Sequence, residues 1–112
     1  MRLSPWGRLV VVGRSMEPTL NSGDRLVVRW GAVPLAGQVA VVRLPGGRPL
    51  SGKRVVYRDD DGWWVERDNP DEGADSWALG ALPDEDVLGV VRWRYRPLAR
   101  AGRLPPPPVP LE

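Results

Sequence analysis

The sequence predicts an all-β domain, a small coiled or barrel-like antiparallel sheet. Three observations lead there. Apolar residues come in short valine-rich runs such as Leu9–Val12, Leu26–Val28 and Val39–Val42, each strand-sized and too short for a buried helix. Thirteen glycines and thirteen prolines punctuate 112 residues, which marks frequent turns. Near the end, Val91, Trp93 and Tyr95 alternate with Arg92, Arg94 and Arg96, the two-residue period of a strand. A chain of this length makes one domain with one modest core.

Taken in order, the first strand is expected at 8–13 and the second at 25–30, joined by a loop that carries Ser15. Residues 31–37 read as a turn region containing Pro34. The run 38–44, almost wholly apolar and β-branched, reads as a buried third strand. Pro45-Gly46-Gly47 turns the chain into a fourth strand at 50–57. A hairpin turn at 59–62 leads to a fifth at 62–67. Residues 68–86 are polar and irregular, and 87–96 form the last strand. The folded domain is bounded at 1–97. Residues 98–112, with Arg100, Arg103 and the run Pro105-Pro106-Pro107-Pro108-Val109-Pro110, read as a flexible, solvated polyproline II tail.

Two residues stand out chemically. Ser15 lies on a short loop beside Gly13, which permits close approach of another backbone. Lys53 is the single lysine among sixteen cationic residues and opens the run Lys53-Arg54-Val55-Val56-Tyr57 of the fourth strand. Arginine stays protonated, whereas a desolvated lysine can become a neutral amine and serve as a base. With no histidine and no cysteine, a Ser-His-Asp triad, a Cys-His protease and a His/Cys zinc site are excluded by inventory. A nucleophilic Ser15 must therefore take its base from Lys53 or a carboxylate. No metal and no cofactor are expected.

The run Gly13-Arg14-Ser15-Met16-Glu17-Pro18-Thr19-Leu20 resembles the nucleophile box S-M-x-P-T-L of the signal peptidase I superfamily, the Ser-Lys peptidases that include the LexA-type self-cleaving repressors. Gly23-Asp24-Arg25-Leu26-Val27-Val28 is similar to the next strand of that pattern, and Lys53-Arg54-Val55-Val56 to its general-base box. Asp68-Asn69, Asp75-Ser76 and Gly80 resemble its last box. The four boxes stand in order over residues 9–96. Small size, the run Gly62-Trp63-Trp64-Val65 and the ending Val87–Arg92 look most like the nickel-type superoxide dismutase maturation proteases.

The resemblance implies a sheet of the LexA/signal peptidase type and a serine endopeptidase. Ser15 Oγ attacks a scissile carbonyl, Lys53 accepts its proton, and the Ser15 backbone N–H holds the oxyanion. Working near neutrality requires lowering an ordinary lysine pKa of ~10.4 by roughly three units, about 4 kcal/mol, through burial. Gly13, Met16, Pro18, Asp24, Arg54, Asp68, Asn69, Asp75 and Ser76 are the implied supporting residues. The last box departs from the pattern. The serine that orients the lysine falls at Gly73, an arginine is replaced by Trp77, and the hydroxyl donor found in some relatives is absent at Gly13. Asp75 is expected to approach the Ser15–Lys53 pair from the side away from solvent.

The implied partner is a precursor whose N-terminal leader is removed, such as that of a nickel superoxide dismutase. A self-processing LexA-like domain is the alternative within the superfamily, but only 14 residues precede Ser15. A catalytically inactive β-domain that binds peptide or nucleic acid is the alternative outside it. Against nucleic acid stand a net charge of only +2 and acidic clusters at 59–61, 68–75 and 84–86 that interrupt any basic stripe. The N-terminal apolar run is far shorter than the ~20 residues of a spanning helix, so no transmembrane segment is expected. A cytoplasmic location follows as the expectation, with peripheral membrane contact through Leu3, Trp6 and Leu9 left open.

Overall fold

The structure, a computed structural model, describes residues 5–73 and 76–108. Six strands form one sheet: β1 (Trp6–Val10), β2 (Arg25–Trp30), β3 (Val39–Arg43), β4 (Leu50–Asp59), β5 (Gly62–Glu66) and β6 (Val87–Arg96). Their spatial order is β1-β2-β6-β3-β4-β5, and every pairing is antiparallel. One short helix, α1 (Ser76–Leu79), and two 3-10 turns at Asp84–Asp86 and Leu98–Arg100 complete the described elements. None of the described helices is long and apolar enough to cross a membrane.

β3 explains how so small a chain buries its apolar residues. Successive side chains of a strand point to opposite faces. Val39 and Val41 join one cluster with Met16, Leu20, Leu26, Val28 and Val91. Ala40 and Val42 join a second with Leu44, Val55, Trp63, Val65 and Leu82. These four β3 residues are at most 2 % exposed, so β3 is covered on both faces along Val39–Val42, as its unbroken apolar run requires.

The same alternation sorts the two cations that open the base-box run. Lys53 pairs with Ala40 and Arg54 with Val39, so adjacent residues face opposite sides of the sheet. Both are buried, at 1 % and 2 % exposure.

Two elements depart from the sequence reading. β1 runs from 6 to 10 rather than 8 to 13, because the chain leaves the ladder after Val10. One irregular pairing remains, with Val11 N–H donating to Asp24 O and Gly23 N–H donating to Val11 O, both at 2.8 Å. In β6 the apolar–arginine alternation does not map onto inside and outside. Val27 pairs with Trp93 and Val28 with Val91, leaving Arg92 as an extra residue. Such a bulge flips the strand beyond it. Trp93 therefore points out at 42 % exposure, and Arg94 points in at 5 %.

Residues 98–108, read from sequence as part of a flexible tail, follow a defined path. Gly102 exchanges both backbone hydrogen bonds with Arg94 at 2.9 Å, and Leu104 packs against the first apolar cluster.

Candidate active site

Ser15 sits on the excursion between β1 and β2. Met16 and Leu20, buried at 3 % and 2 %, anchor that loop in the first cluster, and Leu20 N–H donates to Met16 O at 2.8 Å. Ser15 itself stays half-buried, with its carbonyl accepting from Asn69 N–H at 2.9 Å. Asn69 also donates through Nδ2 to Arg14 O at 2.8 Å, so one buried residue holds both sides of the serine.

Gly73 shows how close Ser15 and Lys53 come. A methyl group built on Gly73 would lie 2.5 Å from Ser15 Cβ and 3.4 Å from Lys53 Nζ. Both side chains thus converge on a single point, the space above Gly73. The glycine is required twice over: its φ of +87° is unfavourable for other residues, and Ser15 occupies the room a side chain would need. The serine found at this place in the resembled family has no space here.

Around this centre the supporting residues divide into two groups. One group braces the loop. Arg54 makes a two-pronged ion pair with Asp68, Nε to Oδ1 at 3.2 Å and Nη2 to Oδ2 at 2.6 Å. Thr19 Oγ1 donates to the same carboxylate at 2.5 Å, and Met16 Sδ accepts from Asp68 N–H at 3.3 Å. Asp24, 2 % exposed, accepts from Asn21 N–H and from Arg94 Nη1, both at 2.9 Å, and from Arg100. Pro18 is exposed on the loop, and Gly13 turns the chain into it with φ +95°.

Ser76 has a different role. Ser76 Oγ accepts from Val65 N–H at 2.9 Å and donates to Trp63 O, tying α1 to β5. This buried hydroxyl braces β5, and both of its described hydrogen bonds go to that strand. Asp75 lies outside the described residues, as does Leu3. Trp6 is 46 % exposed, while Leu9 turns inward against the first cluster.

Beside Ser15 opens a largely apolar cavity of about 120 Å³. Its walls include Leu9, Val11, Met16, Leu20 and Val41, and its rim runs along Val10–Gly13 on one side and Leu50–Gly52 on the other. Among the described residues, each rim is paired with a neighbouring strand on one side only. β1 is an edge strand, and β5 begins pairing with β4 only at Arg54, beyond residues 50–53.

Sequence reasoning missed Arg94 and Arg100. Their role depends on the β6 bulge and on a turn after Pro97, and neither leaves a signal in a single sequence. Among the described residues, no cluster of three or more metal-ligating side chains occurs. No curated protein and no solved structure matches the chain. A family model described as Peptidase S24-like matches residues 5–91, from the start of β1 into β6. That span holds the serine loop, the lysine strand and Gly73 alike, and the chain belongs to the Peptidase S24-like family, within the serine-peptidase superfamily of LexA and the signal peptidases.

Proposed function

We propose that the protein is a serine endopeptidase in which Ser15 is the nucleophile and Lys53 the general base. The observation that carries this reading is the convergence above Gly73. Ser15 Cβ and Lys53 Nζ both lie within 3.4 Å of one point, and the lysine is 1 % exposed. Burial strips the hydration that stabilises an ammonium, the condition under which lysine serves as a base.

In the first half-reaction, Lys53 takes the Ser15 hydroxyl proton as Oγ bonds to the scissile carbonyl carbon. The oxyanion is held by the Ser15 backbone N–H. As the C–N bond breaks, Lys53 returns the proton to the leaving amine. Water then attacks the ester with Lys53 again as base, which frees the acid and restores the serine.

The cavity supports an extended peptide as substrate. An extended peptide laid between the two rims would add strand-like hydrogen bonds on both sides and drop an aliphatic side chain into the pocket beside Ser15. On this reading the substrate is a precursor whose N-terminal leader is removed in the cytoplasm, and a nickel superoxide dismutase precursor is the specific proposal. Asp75 is proposed to support the base.

The test is intact mass of that precursor after incubation with wild type and with Ser15→Ala. Wild type should release the leader at a single bond and Ser15→Ala should leave the precursor whole. Equal cleavage by folded Ser15→Ala contradicts the assignment.

A further inference from the structure

We infer that the segment 98–106 is a strap that positions the nucleophile loop, with Arg100 as its positioning residue. The inference rests on reading Ser15 as the nucleophile. The loop between Val10 and Arg25 has little ladder pairing of its own, so its shape depends on what grips it.

The grip has a fixed layer and an added layer. In the fixed layer, Arg94 reaches from β6 and donates through Nη1 to Thr19 O at 2.6 Å and to Asp24 at 2.9 Å. Arg54 and Asp68 hold the Thr19 hydroxyl from the other side. The strap supplies the added layer at three points. Arg100 donates through Nη2 to Asp24 Oδ1, the carboxylate oxygen that Arg94 does not take. Arg100 O accepts from Arg94 Nε at 2.7 Å, which aims that guanidinium at the loop. Leu104 packs on the cluster containing Met16 and Leu20, and Pro105 O accepts from Arg54 Nη1 at 3.2 Å.

Both gripping arginines thus donate to carbonyls of the strap, Arg94 through Nε and Arg54 through an Nη1 that it shares with Gly37 O. Asp24 is 2 % exposed in its side chain, and Arg100 is the one donor to its Oδ1 among the described residues, so losing Arg100 costs a buried carboxylate oxygen its partner there. The turn Asn21–Asp24 closes on that carboxylate and leads directly back to Thr19. A slackened turn therefore moves Ser15 relative to Lys53, where a displacement near 1 Å can cost ~10²-fold in rate.

Two readouts on the full chain test this. Amide hydrogen exchange of residues 11–24 and of β3 and β4 is compared in wild type, Arg100→Ala and Arg100→Lys. The second readout is the rate at which a small fluorophosphonate labels Ser15, with Ser15→Ala as blank. Arg100→Ala should exchange the loop about tenfold faster or more with β3 and β4 unchanged, and label about 10- to 100-fold more slowly. Arg100→Lys, which restores the charge at Asp24, should recover most of both. Unchanged loop exchange, faster exchange spread evenly over all strands, or a labelling rate that ignores the loosened loop each overturns the strap. Failure of wild type to label at all counts against Ser15 as nucleophile, and the exchange comparison still decides the strap.

Discussion

Two arginine–carboxylate forks in this molecule have nearly the same geometry and opposite surroundings. Near the β4–β5 hairpin, Arg58 grips Asp84 through Nε and Nη2 at 2.9 and 3.0 Å, with side chains 49 % and 64 % exposed. Beside the serine loop, Arg54 grips Asp68 through the same two nitrogens at 3.2 and 2.6 Å, with both side chains 3 % exposed. Water and salt screen the first pair, and its partners remain solvated when it breaks. The second has no such refuge. Breaking it leaves an uncompensated charge inside the protein, so it dictates where Thr19 and the loop must sit. Burial, rather than bond geometry, turns an ion pair into a positioning device.

The largest loss of stability should come from breaking the buried fork. Asp68→Asn keeps the shape but leaves Arg54 without its counter-charge, which should cost ~3–5 kcal/mol by denaturant unfolding. Leader cleavage should fall with it, since the same carboxylate holds Thr19.

Next comes Gly73. Gly73→Ser restores the residue that the resembled family carries there, yet it should lower activity by ~10²-fold or more. The added Cβ would lie 2.5 Å from Ser15 Cβ, on a backbone with φ +87°. Cleavage kinetics beside a thermal melt would show whether activity falls further than stability. A gain in activity would mean that the glycine is a loss rather than an accommodation.

The smallest effect belongs to the exposed fork. Asp84→Asn should leave cleavage unchanged and shift the melting temperature little at neutral pH. Arg58, and then Trp63 Nε1 at 2.8 Å, hold the Asp84 carboxyl below the usual carboxylate range. A depressed carboxyl adds stability that is present above its unfolded pKa of about 3.9 and is lost as pH falls through the folded value. Wild type and Asp84→Asn should therefore converge in stability only in acid, which melts between pH 2 and 7 would reveal.

Much of the fold was legible because burial on both faces writes itself into composition. The run Val39–Val42 reads as a doubly covered strand and is one, and residues 25–30 and 87–96 match β2 and β6 at both ends. Lys53 was legible as a chemical oddity, a lone lysine where arginine is the rule. What could not be read depends on register. The bulge at Arg92 turns Arg94 inward, and only then can it meet Asp24, 70 residues away in sequence. Arg100 reaches the same carboxylate across 76 residues, from a segment whose prolines signalled a free tail. Long-range partners of buried charges are fixed by packing, which local pattern does not encode. Gly73 was visible as a departure from the resembled box, but its reason, the room taken by Ser15, appears only in three dimensions.

The central claim is that Lys53 works by shedding its proton, and Lys53→Arg tests it most directly. The substitution keeps the charge and most of the stem, but guanidinium stays protonated at any workable pH. Leader release is followed by intact mass for wild type, Lys53→Arg and Ser15→Ala, with circular dichroism and a thermal melt to verify folding at the buried position. Folded Lys53→Arg should be as inactive as Ser15→Ala, ~10⁴-fold or more below wild type. Substantial cleavage by folded Lys53→Arg would show that the base lies elsewhere.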